Sequence, residues 1–413
     1  MLVWIQNPFD NLPAEGYRKQ RYWLMAEAFL RAGHRVVYWT SDFSHARKGK
    51  REEGRAGREE GIEVRLIPTF PYSKNVSLAR IRSHRAYARD WKRLALDSGN
   101  RTIEQSEQSE QSNKPSLIVS SCPTLSAAAA ALEIGHALDA KVVIDVQDAW
   151  PETFERLAPK GLRGLARLAL TPLRLKARRI YREADFVTGV CDAYRELTGR
   201  NDYWRAYLGI DCQRPRVSTG EAAAKRSLEW CEDAAGTVKG REIASGRMSG
   251  VRLVYAGGLG KTYDLKTLVA AVEANREMTL DVAGFGDFSC ACPRVKFHGM
   301  LSAENLRKLY ATCDIGVIPM NDDSGVGLPN KIFDYAAAGL GIVSSLSGES
   351  AAILKKYGCG TIYNPGDVAS LTAAIRQAKA LAPGASRTMC AAEFDARKIY
   401  DDYVSHVITL TRP

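Results

Sequence analysis

Residues 313–345 read CDIGVIPMNDDSGVGLPNKIFDYAAAGLGIVSS, and their pattern indicates the fold class. An apolar run ends at Pro319, a polar loop with glycines follows, and a helix is predicted to begin between Leu328 and Asn330 and to stop at Gly339. A second apolar run comes directly after the helix. A strand, a loop, a helix and a further strand in this order are typical of a parallel sheet that is covered by helices.

The start of this predicted helix has the chemistry of a ligand site. Free backbone amides and the helix dipole favour an anion there, and Lys331 adds a full positive charge. Asp334 lies about one turn further on, where a carboxylate can accept hydrogen bonds from two sugar hydroxyls. Core packing alone would explain Ile332 and Phe333, but it does not explain Asn330, Lys331 and Asp334 together.

The same alternation of apolar runs and helical stretches extends through most of the chain. From residue 251 onward the apolar runs are VRLVYAGG, MTLDVAGFG, VKFHGM, CDIGVIPM, LGIVSS and GCGTIY. In the first half they lie at residues 2–5, 35–40, 62–67, 116–121, 141–146 and 185–190. We therefore predict an α/β protein with two Rossmann-like domains that face a cleft.

The domain boundaries are predicted from composition. Residues 1–212 form the first domain, residues 213–250 a linker rich in small and charged residues, and residues 251–385 the second domain. Residues 98–114 include the repeat EQSEQSEQS and are predicted to be a mobile insertion. Residues 386–413 are predicted to be a C-terminal helix that packs back toward the first domain.

The composition limits the function classes. With 413 residues, 45% of them hydrophobic, the chain is too long for one core and is neither disordered nor fibrous. The 58 Lys and Arg against 47 Asp and Glu give a net charge of +11, which favours an anionic partner. Nucleic acid is not predicted as that partner, because no recognised binding motif accompanies the charge.

The nine cysteines are odd in number and mostly scattered singly among apolar residues. This pattern predicts reduced, buried thiols and a cytoplasmic protein. The close pair Cys290 and Cys292 lacks the four-ligand set of a structural zinc site, so no metal is predicted. The apolar runs are shorter than the roughly 20 residues of a membrane span, which leaves peripheral membrane contact as the alternative.

Loops that follow strands supply further candidates, because ligands of parallel α/β sheets bind at the carboxyl ends of the strands. In the first such loop, DNLPAEGYRKQR at residues 10–21, Gly16, Arg18 and Arg21 can meet an anionic or polar ligand. A solvated basic helix start explains the same residues equally well.

The loop VQDAWPE at residues 146–152 places Asp148 and Trp150 directly after a strand. A plain helix entry also contains a proline followed by an acid. Because Asp148 precedes that entry and lies at a strand end, a functional role is favoured for it.

Two glycine-rich loops belong to the second domain. YAGGLGKTYDL contains Gly258 and Lys261; it is not a dinucleotide fingerprint, because the GxGxxG spacing is not met. The Lys261 side chain nonetheless suits a diphosphate. In AGFGD, Gly284 lets a ligand approach the backbone closely.

The sequence resembles the family-four retaining glycosyltransferases of the GT-B fold, especially bacterial enzymes that build surface polysaccharides. The resemblance rests on LPNKIFDYAAAGLGIVSS, VKFHGMLSAENLRKLYATCDIGVIPM, LVYAGGLGKTYDLKTL, VVIDVQDAWPE and LMAEAFLRAGHRVVYWT. It covers nearly the whole chain apart from residues 98–114 and 213–250. The resemblance implies a nucleotide-sugar donor bound mainly by the second domain and an acceptor bound mainly by the first.

The resemblance also implies roles for individual residues. Asp334 matches the carboxylate that holds the nucleotide ribose, the loop 298–301 matches the segment that contacts the base, and the turn 325–330 matches the amides that hold the diphosphate and sugar. The residues expected to bind the donor are Gly258, Gly284, His298, Met300, Gly325, Val326, Gly327, Asn330 and Asp334. The expected catalytic residues are Asp148, Lys261 and Lys331, and those expected to bind the acceptor are Gly16, Arg18, Arg21 and Trp150.

The chain departs from the family pattern at the donor site. Val326 stands where many relatives have a glutamate that touches the donor sugar. Gly258 and Tyr263 stand where many relatives have an arginine and a lysine. Lys261 and Lys331 can supply the lost positive charge.

The resemblance implies front-face transfer with retention of the anomeric configuration and without a metal or a cofactor. The expected partners are a UDP- or GDP-linked sugar and a glycan or a polyprenyl-diphosphate-linked acceptor. Preorganised amides and lysines would stabilise the negative charge on the departing nucleoside diphosphate, whose phosphate helps to deprotonate the acceptor hydroxyl. Gln147 or Asp148 replaces the histidine usual after the VVID strand, and Asp148 is expected to position hydroxyls.

A basic segment at residues 156–182 holds nine Lys and Arg and no acid, interleaved with leucines. This pattern fits an interfacial helix on an anionic membrane surface, and it fits equally a helix whose leucines face the core. The first alternative would place a cytoplasmic protein on the inner face of the cell membrane.

Two other functions are compatible with the same fold. A nucleotide-sugar epimerase or a phosphorylase would consume the donor without an acceptor. A non-catalytic nucleotide-sugar-binding protein is favoured by Val326, which stands where an acid is common.

Overall fold

The computed structural model describes residues 1–16, 18–51, 57–74, 77–100, 113–212, 250–260, 262–321, 326–382 and 384–411. They form two compact units, one made of Met1–Gly209 with Ala396–Pro413 and the other of Ile210–Asp395. Most of the predicted insertion, residues 101–112, and most of the predicted linker, residues 213–249, lie outside the described residues.

The N-terminal unit is built on a parallel sheet whose central strands are buried on both faces, as β-branched runs without polar alternation predict. Its strands are β1 (Leu2–Gln6), β2 (Arg35–Ser41), β3 (Phe43–Ser44), β4 (Gly49–Lys50), β5 (Gly57–Glu59), β6 (Ile62–Ile67), β7 (Leu117–Cys122), β8 (Lys141–Val146), β9 (Phe186–Gly189) and β10 (Trp204–Arg205). Eight strands form one sheet in the order β10-β9-β8-β7-β1-β2-β6-β5, in which only the edge pair β5 and β6 is antiparallel. The strands β3 and β4 form a separate short hairpin.

Helices cover both faces of this sheet. They are α1 (Arg21–Arg31), α2 (Leu78–Asn100), α3 (Leu125–Leu138), α4 (Glu152–Leu157), α5 (Arg163–Ala169), α6 (Thr171–Glu183) and α7 (Ala193–Thr198). One apolar face of α1 packs on the sheet, where Tyr22, Trp23 and Phe29 are fully buried in the core. Gly33 follows this helix with φ +81, a conformation that favours glycine where a helix ends.

The C-terminal unit contains a six-stranded, fully parallel sheet. Its strands are β11 (Val251–Ala256), β12 (Met278–Ala283), β13 (Val295–Phe297), β14 (Ile315–Ile318), β15 (Gly341–Ser344) and β16 (Gly360–Ile362), in the order β13-β12-β11-β14-β15-β16. Its helices are α8 (Leu265–Ala274), α9 (Ala303–Tyr310), α10 (Lys331–Ala338), α11 (Glu349–Tyr357), α12 (Val368–Lys379) and α13 (Ala385–Met389). The twelve predicted strands all form, and the predicted class of two Rossmann-like α/β domains is confirmed.

The last helix, α14 (Ala396–Thr409), belongs to the N-terminal unit, where it packs on α1. Tyr403 on α14 meets Phe29 on α1 edge to face, with ring centres 6.4 Å apart. Residues 386–395, which the sequence assigns to the terminal helix, instead lie in the C-terminal unit as most of α13 and a π-helical turn, Cys390–Phe394.

The expectation that all cysteines are reduced is wrong for one pair. Cys212 and Cys390 form a disulfide with their Cα atoms 6.5 Å apart. Because 178 residues separate them in the sequence, no spacing pattern indicates the pairing. The bridge lies close to the two ends of the C-terminal unit, where Ile210 and Asp395 form an isolated β-bridge. None of the described helices is long and apolar enough to cross a membrane.

Candidate functional site

The strand order of the C-terminal sheet reverses between β11 and β14, and ligands of open α/β sheets bind at the carboxyl edge of such a switch point. Two glycines make the turns after β11 and β12 pack closely there. Gly257 and Gly284 have φ of +152° and +146°, and a Cβ on Gly284 would lie 1.8 Å from the carbonyl oxygen of Gly257. Only glycine fits this contact, which leaves the backbone of both turns bare.

The helix α10 is fixed over this switch point by Tyr335. The Tyr335 hydroxyl accepts a hydrogen bond from the amide of Ala256, at the end of β11, at 3.1 Å. Its ring covers Gly316 on β14, where a Cβ would lie 2.4 Å from the ring. Neither Tyr335 nor Gly316 is predicted from the sequence, and their tight fit sets the position of the helix start.

Lys331, at the first position of α10, reaches this edge and is 9% exposed. Its Nζ lies 4.1 Å from the ring centre of Tyr263 and 5.2 Å from that of Tyr255, a geometry for cation–π attraction. A Cβ on Gly257 would lie 2.7 Å from Nζ, so the ammonium sits directly beside the bare turn. Burial lowers the pKa of Lys331 to about 8, and the charge of Asp334 opposes that shift.

The other residues predicted for the donor site flank this edge. Asn330 is exposed, Asp334 is half-buried, and Val326 and Gly327 lie just before the helix start. The carbonyl of Gly327 accepts a hydrogen bond from the Ser350 hydroxyl at 2.8 Å, which ties the segment before α10 to α11.

The turn after β11 and the segment after β13 hold three more of the predicted residues. The carbonyl of Gly258 accepts a hydrogen bond from the Tyr255 hydroxyl at 2.5 Å. His298 faces Asp281, with Nε2 and Oδ1 2.7 Å apart, and Met300 is 75% exposed. Lys261 and Gly325 lie outside the described residues.

In the N-terminal unit, the Arg21 side chain is buried in the core, which corrects the prediction that it binds the acceptor. Its guanidinium pairs in a bidentate way with Asp145, with N–O distances of 2.7 and 2.8 Å, and both side chains are fully buried. Its remaining hydrogen bonds go to the carbonyls of Ala206 and Tyr207. The charge of Arg21 lowers the pKa of Asp145 against the effect of burial. The pair joins α1 to β8 and is structural.

Gly16 and Arg18, from the same predicted loop, lie on the surface. Gly16 ends a 3-10 turn, Pro13–Glu15, with φ +77, which explains the glycine without a ligand. One Nη of Arg18 donates to the carbonyl of Gly209 at 3.4 Å. Their role toward an acceptor stays a prediction.

Side chains from several segments meet at the carboxyl edge of the N-terminal sheet. The guanidinium of Arg80 lies 5.1 Å from the ring centre of Phe9, 5.2 Å from that of Trp150 and 5.9 Å from that of Tyr72. We call this group the Arg80 cluster, and its members are Phe9, His45, Lys48, Tyr72, Arg80 and His84.

Asp148 and Trp150 lie beside the Arg80 cluster, after β8. Asp148 is an exposed residue at this edge, but desolvation by the surrounding protein raises the pKa of its carboxyl, and the charge of Arg80 opposes that rise. The sequence predicts a role for these two neighbours but for no member of the Arg80 cluster. The loops after β1 and β6, the turn between β3 and β4 and the first turns of α2 supply the rest, and no spacing in the sequence links these segments.

The histidines of the Arg80 cluster are neutral at pH 7. Burial lowers the pKa of His45 to about 4 and that of His84 to about 3, and the charge of Arg80 contributes to both shifts. Arg80 Nε donates to His84 Nε2 at 3.2 Å, and the Tyr72 hydroxyl lies 2.6 Å from His45 Nδ1. Within the described ranges, no group of three His, Cys, Asp or Glu side chains is placed to hold a metal ion.

An open parallel sheet with bare glycine turns and a cation at its switch point is typical of α/β proteins that bind nucleotides. Two family models match the chain. A glycosyl transferase 4-like domain matches residues 19–207, and glycosyl transferases group 1 matches residues 250–380. Together the matches cover more than three quarters of the sequence, and the chain is a glycosyltransferase of the GT-B fold class.

Solved structures share this fold over nearly the whole length. Sucrose-phosphate synthase from Thermosynechococcus elongatus is 14% identical with a TM-score of 0.68, covering 99% of this chain and 98% of its own. HepE from Anabaena in complex with UDP-glucose is 14% identical with a TM-score of 0.62, covering 99% of each chain. The catalytic domain of starch synthase IV from Arabidopsis thaliana, bound to ADP and acarbose, is 12% identical with a TM-score of 0.62, covering 100% of this chain and 99% of its own. No curated protein sequence matches the chain.

Proposed function

We propose that the chain transfers a sugar from a UDP- or GDP-linked donor to a glycan or lipid-linked acceptor, with retention, in cell-surface polysaccharide biosynthesis. The observation that carries the proposal is the Lys331 ammonium beside the bare Gly257 turn at the switch point. The Anabaena and Arabidopsis structures, solved with UDP-glucose and with ADP, support a nucleotide donor on this fold.

The start of α10 is suited to the chemical step. Sugar transfer leaves a growing negative charge on the departing nucleoside diphosphate. The first amides of α10, the helix dipole and the Lys331 ammonium are held in place before reaction, so they can stabilise that charge without reorganising. An anion next to Lys331 also raises its pKa, which keeps the amine protonated in the complex. In the proposal, Asp334 accepts hydrogen bonds from the ribose hydroxyls.

Asp148 is proposed to orient hydroxyls of the acceptor or the donor. Asp148 is an exposed residue, and it and Trp150 both follow β8. In the proposal, the acceptor hydroxyl attacks the anomeric carbon from the face that the diphosphate leaves. The departing phosphate oxygen then takes the hydroxyl proton, and this side of the reaction needs no protein base.

This function is tested by measuring the turnover of a panel of UDP- and GDP-linked sugars by wild type and three variants. For Lys331→Ala we expect kcat/KM to fall about 100- to 1,000-fold, the usual effect of losing one preorganised charge-stabilising group. Asp334→Ala should mainly weaken donor binding. The control is Lys355→Ala, an exposed lysine near the end of α11, which should behave as wild type.

Full turnover in both Lys331→Ala and Asp334→Ala would refute the donor site. The anomeric configuration of the product, read from its proton NMR coupling, separates retention from inversion. If wild type consumes the donor as fast without any acceptor as with one, the protein is an epimerase or a phosphorylase instead.

We also propose that the basic segment at 156–182 contacts an anionic membrane. The alternative of core-facing leucines is not supported, because no residue of α5 is buried and Leu162, Leu165, Leu168, Leu173 and Leu175 are 42–71% exposed. The exposed cations Arg167, Lys176, Arg178 and Arg179 lie on the same two helices. Each cation near such a surface contributes about 1 kcal/mol.

Liposome flotation tests this contact. Wild type should float with vesicles that contain phosphatidylglycerol and should not float with vesicles of neutral phosphatidylcholine. The double variant Leu165→Ser, Leu168→Ser should lose most of the flotation, whereas the control Ile362→Ser, an exposed residue of the C-terminal unit, should keep it. Flotation that is independent of anionic lipid would refute the proposal.

A further inference from the structure

The Arg80 cluster concentrates positive charge next to aromatic rings at the carboxyl edge of the N-terminal sheet. Lys48 Nζ lies 5.0 Å from the ring centre of Tyr72, and the guanidinium of Arg80 lies 5.9 Å from the same point. Burial lowers the pKa of Lys48, and the charge of Arg80 adds to that shift. Two cations are therefore gathered at one ring, and the charge of Arg80 disfavours the charge of Lys48.

The backbone at Lys48 is held in a conformation that disfavours a lysine. Its φ of +56 lies in the left-handed region, where a residue with a Cβ is strained by about 1 kcal/mol or more. The turn between β3 and β4 keeps this conformation, and the Lys48 ammonium lies 3.3 Å from His45 Nδ1. Strain of this kind persists where the surrounding structure requires the side chain in one place.

Unsatisfied polar atoms lie at the same edge. Asn7 follows β1 and Thr124 follows β7, the two strands that flank the switch point, and both side chains are buried. In the part of the chain that the structure describes, Asn7 Nδ2 and Thr124 Oγ1 have no hydrogen-bond partner. A buried polar group without a partner costs about 1–3 kcal/mol, and an oxygen-rich ligand at the switch point would provide the missing acceptor. The Asn7 side chain also accepts a hydrogen bond from the amide of Phe9, which ties it to the Arg80 cluster.

We propose that the Arg80 cluster binds a phosphate or diphosphate group carried by the acceptor, and this inference rests on the proposed transferase function. Arg80 offers a planar fork that matches phosphate oxygens, and Lys48 offers a point charge. The two positive charges of Arg80 and Lys48 match a phosphate ligand better than a carboxylate ligand, which carries a single negative charge. Each neutral histidine can donate a hydrogen bond to the anion from its protonated ring nitrogen. The rings of Phe9, Tyr72 and Trp150 provide a floor for the sugar that carries the phosphate.

Binding of inorganic pyrophosphate to the full chain tests the inference. UDP is added first to occupy the C-terminal unit, and the imidazole C–H signals of the six histidines are followed by NMR at constant pH. We expect pyrophosphate to shift the signals of His45 and His84 and to leave that of His298 in place. Lys48→Gly and Arg80→Gln should each weaken the apparent affinity about tenfold, the usual size of a lost charge-assisted contact.

Two features keep this test decisive. Lys48→Gly suits the left-handed conformation, so its fold is retained or improved, and a loss of binding reports the lost ammonium. The control Arg82→Ala removes a cation of the same helix that stacks on Phe70, 4.5 Å from its ring centre, and it should bind pyrophosphate as wild type. The inference would be overturned if both cluster variants bound pyrophosphate as tightly as wild type. It would also be overturned if glucuronate, a carboxylate, bound more tightly than pyrophosphate in the same NMR titration.

The source of the phosphate is distinguished in a second arm. Vesicles of phosphatidylcholine that carry a long-chain isoprenyl diphosphate should capture the wild type if the group belongs to a lipid. Binding of pyrophosphate without such capture identifies a soluble phosphorylated acceptor. If the inference is wrong but the proposed function is right, UDP binding and donor hydrolysis are still observed. If the proposed function is wrong, UDP does not bind, but pyrophosphate still shifts the histidine signals.

Discussion

The two units share one strand order around their switch points, yet they build the two carboxyl edges in different ways. In the C-terminal unit the edge consists of close glycine turns and one lysine at a helix start. In the N-terminal unit it consists of charged and aromatic side chains from separate loops, above a buried ion pair of Arg21 and Asp145. The first edge depends on backbone shape, and the second depends on side chains placed by the whole domain.

The largest effect is expected from the ion pair beneath the N-terminal edge. Asp145→Ala leaves the Arg21 charge buried without its carboxylate, and we expect the free energy of unfolding of this unit to fall by about 3–5 kcal/mol. Urea unfolding followed by tryptophan fluorescence measures it, because six of the seven tryptophans precede residue 209.

The matched control is Glu63→Ala, which removes the partner of Arg65 in a half-exposed pair and should change stability by less than about 1 kcal/mol. If Asp145→Ala cost no more than this control, the N-terminal edge would not depend on the buried pair.

A smaller effect is expected from the backbone contact of the C-terminal edge. Gly284→Ala places a Cβ against the carbonyl of Gly257 at a positive φ, and we expect a loss of about 1–3 kcal/mol with weaker UDP binding. The control Gly260→Ala meets nothing within 4 Å and has no positive φ, so it should be neutral. Equal UDP-dependent thermal shifts in both variants would contradict the importance of this contact.

The pH dependence of donor binding is expected to be a smaller effect, and it depends on the lysine of the C-terminal edge alone. The pKa of Lys331 is lowered to about 8, so its ammonium is present below pH 8 and lost as the pH rises through that value. Affinity for UDP should therefore be constant near pH 7 and fall above pH 8, by about tenfold per pH unit at most. Calorimetry between pH 7 and 9.5 measures this fall.

Lys331→Arg provides the contrast, because an arginine stays charged throughout this range and should give a flat profile. A wild-type profile without a fall above pH 8 would show that the Lys331 ammonium does not contact the diphosphate.

The difference between the edges also explains what the sequence could predict. Gly258, Gly284, Asn330, Lys331 and Asp334 lie within continuous motifs, in which strand, turn and helix start follow one another, and the structure places them around one switch point. The twelve strands were predictable for the same reason, since each is a short β-branched run of its own.

The N-terminal edge was not predictable in this way. The sequence predicts that Arg21 binds the acceptor, but its partner Asp145 lies 124 residues away and pairs with it in the core. His45, Arg80 and His84 meet only because β2, β6 and α2 end or begin at one edge. Pairings of this kind depend on tertiary packing, as does the disulfide of Cys212 with Cys390.

The chain leaves and re-enters the N-terminal unit at nearly the same point. A Cβ on Gly209 would lie 2.8 Å from the Cα of Ala396, so the C-terminal unit is, in topological terms, an insertion between these two residues. During synthesis the N-terminal core therefore lacks α14 until the whole inserted unit has been made. The inserted unit, although it is second along the chain, can therefore complete its core first. One apolar face of α1 stays uncovered until α14 has been synthesised.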